Sequence, residues 1–130
     1  MRSNMKVFLL TTLLLFSING FAFNWKKLNE DINGNSFYID VDNIKKRNGL
    51  VYYWTLFDLI EPLSNGSNSS IIKFKVDCLE GKRIWLSSTF YSQQMGKGKI
   101  HMEGTSEKFD YPKPNNHHHD VMKFACNNAR

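Results

Sequence analysis

Three consecutive histidines, His117–His119, are the side chains of this sequence that are best suited to bind a metal ion. Imidazole nitrogens are common ligands of zinc and copper. On a helix, successive side chains diverge by about 100°, so three neighbours cannot meet at one ion. In an extended segment, His117 and His119 would share a side and could bind zinc or copper with His101 or Asp120. We favour an exposed helix start, and we expect neither a metal ion nor another cofactor.

The other residues that could carry catalysis lack the neighbours that catalysis needs. No serine lies in a Gly-x-Ser-x-Gly nucleophile elbow. The loop over residues 92–99 is rich in glycine and lysine, but Ile100 follows Lys99 where a phosphate-binding loop needs Ser or Thr. Asp40 and Asp42 could act as paired carboxylates, yet they flank a turn whose backbone amides need caps. The sequence therefore predicts a protein without catalytic activity.

Residues 1–22 have the composition of a targeting signal. Lys6 supplies positive charge, residues 7–16 form an apolar run, and Gly20 and Ala22 are the small residues that a signal peptidase reads. The apolar run is shorter than the roughly 20 residues that span a membrane. We therefore expect export, and we expect no stable membrane insertion of the mature chain.

Cleavage would leave one mature domain over residues 23–130, whether translation starts at Met1 or at Met5. Of the 17 Lys and Arg residues, Arg2 and Lys6 leave with the signal, so the remaining 15 face 12 Asp and Glu and the formal charge is +3. This charge is too small for the electrostatic footprint of a nucleic-acid-binding protein. The expected partner is another protein or a second copy, in the periplasm, at the cell surface or in the medium.

Export also changes the expected chemical state of the two cysteines, Cys78 and Cys126. In an oxidising compartment, an even number of cysteines indicates a disulfide. This bridge would close a loop of about 50 residues, which is worth about 4 kcal/mol of stability in the chain-entropy model. We expect it to join the strand that ends at Cys78 to a helix that carries Cys126.

The segment over residues 70–78 organises the predicted fold. Ile72, Phe74 and Val76 alternate with Lys73 and Lys75, the period-two pattern of a strand with one buried face. Similar runs predict about six antiparallel strands in a meander, over residues 23–28, 36–40, 50–59, 70–78, 83–91 and 108–111.

A helix is predicted near the C-terminus, over residues 117–127. Asn115 or Asn116 would cap its first turn, and Val121 and Ala125 would lie on its buried stripe with His118 or Met122. The predicted fold class is α+β: the antiparallel meander with this helix packed on it and linked to it by the disulfide.

Residues 50–59 are apolar or aromatic on both faces, which predicts a central strand with a remainder that the helix leaves uncovered. Trp25 is expected in the core, and Asp40 at the start of a short helical turn. Residues 45–49 are predicted to form a charged turn, which could contact a phosphate or an acidic partner or be solvated. The candidate binding surface comprises four aromatic residues and two lysines of the basic loop: Tyr52, Trp54, Trp85, Tyr91, Lys97 and Lys99. The alternative role for the aromatic residues is in the core or in a dimer interface.

The chain resembles the surface-adhesin protein E family. The resemblance rests on short motifs in a common order: Trp25, Phe37–Asp40 with Ile44, Gly49–Asp58, Val76–Cys78, Tyr91–Ser92, Met95–Gly98 and Cys126. It implies a sheet of about six antiparallel strands, a disulfide-linked helix near the C-terminus, dimerisation, and adhesion to host extracellular proteins. The favoured function is an exported binding module that makes protein–protein contacts. The alternatives are an envelope-assembly protein that acts as a homodimer and, less favoured, a histidine-based metal-binding protein.

Overall fold

The structure, a computed structural model, describes residues 22–130. The predicted targeting signal lies outside these residues, apart from Ala22. The described part forms eight strands and one helix: β1 Trp25–Glu30, β2 Ser36–Asp40, β3 Lys45–Arg47, β4 Leu50–Asp58, β5 Ser69–Asp77, β6 Lys82–Gln93, β7 Lys97–Thr105, β8 Phe109–Asp110 and α1 His117–Asn128. A 3-10 turn, Gln94–Gly96, joins β6 to β7.

All eight strands form one antiparallel sheet. Its main path is β1-β2-β4-β5-β6-β7, while β3 pairs with β4 and β8 pairs with β6. The predicted fold class is thus confirmed, and the alternating β5 lies between β4 and β6. After β6, two strands differ from the prediction. The nine-residue strand β7 was not predicted, because its exposed, mostly polar sequence does not alternate, and the strand predicted over residues 108–111 shrinks to the two residues of β8.

The segment predicted as a charged turn is in fact a strand followed by a turn. Lys45, Lys46 and Arg47 pair with Tyr52, Val51 and Leu50 of β4. The chain reverses at Asn48 and Gly49, both at positive φ, which glycine adopts without steric cost.

The helix covers only part of one sheet face. Asn116 caps it, since the Asn116 side chain accepts a hydrogen bond from the His118 amide at 2.8 Å. Val121, Met122 and Ala125 are buried, as the predicted stripe requires, and the helix packs against β1, β2 and β4. The predicted disulfide between Cys78 and Cys126 is present, and it ties the last turns of α1 to the end of β5.

Asp40 organises the chain after β2, although it starts a tight turn and not the predicted helical turn. The fully buried carboxylate accepts hydrogen bonds from the amides of Asn24 and Asp42, both at 3.1 Å, and from the Asn43 side chain at 2.7 Å. Asp40 therefore serves as a structural acceptor, not as half of a catalytic carboxylate pair. Trp25 pairs with Asp40 across the strands, so it lies on the face away from α1 and not in the core as predicted.

The glycine-rich loop between β6 and β7 uses its own amides for turn formation. The Met95 amide donates to the Asp58 carboxylate at 2.7 Å, and the Gly96 amide donates to the Ser69 hydroxyl at 2.9 Å. Gly98 has φ of +83°, and a Cβ there would collide with the Ser92 hydroxyl. Because the protein itself occupies these donors, the loop has no amide cradle for a phosphate.

Removing the disulfide tests how far the helix depends on it. The Cys78→Ala/Cys126→Ala variant should lose about 2–5 kcal/mol of unfolding free energy, because the unfolded chain regains the freedom of a loop of about 50 residues. Urea denaturation of the oxidised protein and of the variant measures this difference. Reductant should produce the same loss in the wild type and none in the variant; equal midpoints for oxidised and reduced wild type would contradict the prediction.

Candidate functional site

A β-bulge in β6 decides which sheet face each aromatic residue joins. Trp85 pairs with Phe74 of β5 and Ser87 pairs with Lys73, which leaves Leu86 as the extra residue of the bulge. One extra residue reverses the alternation of side chains along a strand. Odd-numbered residues of β6 therefore face α1 before the bulge and face away from it afterwards.

This reversal separates the aromatic residues that the sequence analysis grouped together. Trp85 lies on the helix side, where its ring contacts Phe74 edge to face at a centroid distance of 5.2 Å. Tyr91, beyond the bulge, lies on the opposite face with Tyr52 and Trp54. The prediction that Trp85 shares their face is corrected, and Trp85 completes the core next to the helix.

Arg83 takes the place of an apolar residue beside Trp85. Its guanidinium carbon lies 4.3 Å from the Phe74 ring centroid and 4.5 Å from that of Trp85, so the cation contacts both rings. Two hydrogen bonds to Asp110 of β8, at 3.0 and 2.8 Å, balance the charge. Only 3% of Arg83 is exposed, and a buried charge of this kind is stable only when it is paired.

A small apolar cleft of about 80 Å³ opens beside Arg83 and the start of α1. Its walls include Phe57, Ile72 and His118. Burial is the main reason that the pKa of His118 lies below its ordinary value, and the nearby Arg83 charge lowers it further. Burial also raises the pKa of Tyr53 in the adjoining core. His118 is thus held neutral in the folded protein, as part of the packing.

The face away from the helix carries a basic groove of about 310 Å³. It is lined by Asn43, Lys45, Arg47, Tyr52, Trp54 and Lys73, and we refer to these six residues as the basic groove. The Lys73 ammonium lies 5.2 Å from the centroid of the Trp54 ring and 6.0 Å from that of Tyr52. Cations and aromatic rings therefore form one surface, and no acidic side chain lines it.

Further aromatic residues extend this surface beyond the groove. Phe23 stacks on Trp25 at 4.5 Å and meets the Trp54 ring edge to face at 5.5 Å. In the part of the chain that the structure describes, no α-helix packs on this side of the sheet, and the 3-10 turn at Gly96 covers only the Leu56 and Ile71 end of it. We call the basic groove together with Phe23 and Trp25 the open face.

Three of the predicted surface residues lie apart from the groove. Tyr91 is on the same sheet face, but it lies four residues along β6 from Ser87, which is level with Trp54, a displacement of about 13 Å. Lys97 and Lys99 are exposed at the start of β7. Of the six predicted residues, the structure brings together only Tyr52 and Trp54.

The histidines do not form a common site. His117 and His118 pack against the Phe37 ring, at centroid distances of 5.1 and 5.4 Å, whereas His101 contacts the Ser67 hydroxyl at 3.2 Å. Among residues 22–130, no three His, Cys, Asp or Glu side chains lie close enough to hold a metal ion.

The sequence analysis missed several residues of the open face: Phe23, Trp25, Asn43, Lys45, Arg47 and Lys73. Lys73 was assigned to the solvent side of β5, and its pairing with Trp54 follows only from the register of β5 against β4. If residues 45–47 had been predicted as a strand, the alternation of its side chains would have placed Lys45 and Arg47 on the same face of the sheet.

The fold is thus an antiparallel meander with a disulfide-tethered helix on one face and an aromatic and basic surface on the other. The family model described as surface-adhesin protein E matches residues 25–127, so the chain belongs to this family. No curated protein sequence matches it. Among the described residues, no helix is both long and apolar enough to cross a membrane.

Solved structures of Haemophilus influenzae protein E share the fold. One of them has a TM-score of 0.60 at 16% identity, over 84% of this chain and 88% of the other. A second crystal form gives a TM-score of 0.61 at 16% identity, over 84% and 91%. Protein E from non-typeable Haemophilus influenzae gives 0.55 at 15% identity, over 84% and 80%.

The lowered pKa of His118 predicts how stability depends on pH. In the unfolded chain His118 takes up a proton as the pH falls through about 6.5, whereas the folded protein resists protonation. The unfolding free energy should therefore decrease between about pH 7.5 and pH 5, and it should decrease less in His118→Gln. Urea denaturation across this range measures the slope, with His119→Gln as the control. Identical slopes for wild type and His118→Gln would contradict the prediction.

Proposed function

We propose that this protein is an exported, non-catalytic, adhesin-like module that binds a protein ligand through its open face. The observation that carries the proposal is the cluster of Trp54, Tyr52 and Lys73 on a sheet face that no described α-helix covers. Tryptophan and tyrosine are the side chains most enriched at the energetic centres of protein interfaces. Both side chains lie outside the buried core on the helix side and are partly exposed.

Membership of the surface-adhesin family supports the location and the kind of activity. The apolar leader expected over residues 1–22 would take the chain through the inner membrane, and the Cys78–Cys126 disulfide suits the oxidising space beyond it. Adhesion to host extracellular proteins is the role that the family description suggests, with the open face as the contact surface.

Truncating the central aromatic residue tests the proposal. Trp54→Ala should weaken binding to an immobilised basement-membrane extract by at least about tenfold, because hot-spot aromatic residues contribute about 2 kcal/mol or more. Surface plasmon resonance with the exported, disulfide-bonded protein measures the affinity. Ile32→Ala is the matched control, since Ile32 is a fully exposed apolar residue in the β1–β2 turn.

The control should bind as the wild type does, and circular dichroism should show that Trp54→Ala stays folded. A wild type that does not bind the extract would contradict the adhesin role. Equal binding by the wild type and by Trp54→Ala would contradict the assignment of the open face.

A second candidate function, an envelope protein that acts as a homodimer, is favoured by the edge strand β7. All nine residues, Lys97–Thr105, are exposed, and Ile100 and Met102 are apolar residues with about half of their surface in solvent. An edge strand of this length presents unpaired backbone groups that a second copy can pair with.

Light scattering of the exported protein across a dilution series separates the two functions. If β7 mediates a homodimer, the dimer should persist on dilution and Ile100→Pro should convert it to a monomer, because proline cannot donate a strand hydrogen bond. Ile32→Pro in a turn serves as the control. A wild type that is monomeric at all concentrations would remove the homodimer candidate.

A further inference from the structure

We propose that the basic groove binds the sulfate groups of an extracellular sulfated polysaccharide. The inference rests on the proposed function, since only an exported chain meets such a polymer. It adds a second class of ligand, a polyanionic carbohydrate, and assigns it to the end of the open face where β3 pairs with β4.

The cations of the groove are arranged on one side of the sheet by strand pairing. Lys45 lies directly opposite Tyr52, and Lys75 flanks Tyr52 on the other side, from β5. Lys73 lies opposite Trp54 in the next row. Adjacent strands are about 4.8 Å apart, so the cations are spaced a few ångströms apart around the two rings.

These cations are not used for internal ion pairs. Among residues 22–130 the ion pairs are Lys27 with Glu30 and Arg83 with Asp110. Lys45, Arg47 and Lys73 therefore have no carboxylate within ion-pairing distance in the described part of the chain. A concave surface with several such cations and no acidic lining concentrates positive potential, which attracts a polyanion.

The run of three basic residues is divided between the two sides of the sheet. Lys45 and Arg47 line the groove, whereas Lys46 lies opposite the buried Val51 and borders the disulfide on the helix side. This division follows from the alternation of side chains along a strand. The chain thus supplies its own matched control, an exposed lysine in the same strand with the same charge but the opposite orientation.

The rest of the groove suits a sulfated sugar better than a simple anion. Tyr52 and Trp54 offer flat apolar surfaces, while the Asn43 side chain adds a polar group to the lining. Clusters of Lys and Arg are typical of heparin-binding patches, and charge-assisted hydrogen bonds to sulfate or phosphate oxygens are strong. Outside the cell, sulfated polysaccharides carry such oxygens at high density.

Heparin is the probe for this site. The exported, disulfide-bonded protein should bind heparin at about 50 mM NaCl and be released as salt rises towards about 500 mM, since salt screens such contacts. Lys45→Gln/Arg47→Gln should lower the affinity by about tenfold or more, whereas Lys46→Gln and the distant pair Lys97→Gln/Lys99→Gln should change it less than about threefold. Isothermal titration calorimetry measures each affinity.

Three outcomes would overturn the inference: no heparin binding by the wild type, equal losses in Lys46→Gln and in the double variant Lys45→Gln/Arg47→Gln, or displacement of heparin by lipopolysaccharide phosphates at equal charge concentration. Binding to the basement-membrane extract, treated with heparinase to remove its sulfated chains, is measured in parallel with the same variants. Extract binding that depends on Trp54 without any heparin binding would overturn this inference and leave the proposed function standing. Heparin binding by the wild type without Trp54-dependent binding to the extract would support the sulfate site in the basic groove. It would contradict the proposed protein ligand.

Discussion

The sheet is larger than the helix that has to cover it, and the rest of the structure follows from this mismatch. A helix of 12 residues is about 18 Å long, whereas six strands span about 24 Å across and a strand of nine residues is about 30 Å long. The disulfide holds α1 over β1, β2 and β4, so the helix protects one half of one face. The apolar side chains of β4 point to both faces; of those that point away from α1, Leu50, Tyr52 and Trp54 stay partly exposed, whereas Leu56 is buried.

On the part of the helix side that α1 does not reach, Arg83 covers apolar side chains of the sheet in place of the helix. Its guanidinium covers the rings of Phe74 and Trp85, which would otherwise border solvent. Burying this charge requires a partner, and Asp110 supplies two hydrogen bonds. The two-residue strand β8 places this carboxylate, because Asp110 pairs with Arg83 across the strands. The lowered pKa of His118 is a further consequence of the same packing.

The sequence predicted the elements whose signals are local, and it missed those that depend on pairing. The alternation in β5, the two apolar faces of β4 and the Asn116 cap are all visible within a few residues, and the structure confirms them. The bulge at Leu86 has no such signal, because nothing in the sequence of β6 indicates that Leu86 has no partner residue in β5. The strand at residues 45–47 contains no apolar residue, and only its partner β4 makes it a strand. The open face therefore could not be assembled from the sequence.

The lysines of the open face also limit what can bind there. Two copies stacked through this face would bring Lys45, Lys73 and Lys75 of one against the same residues of the other, and like charges across an interface cost several kcal/mol. The aromatic rings alone would favour such stacking, so the cations act against it. Self-association is therefore better served by the exposed edge of β7, which lies two strands from Lys73. A ligand of the open face must instead bring negative charge or acceptor groups, because these are what the cations beside Tyr52 and Trp54, which pair with no carboxylate among residues 22–130, attract.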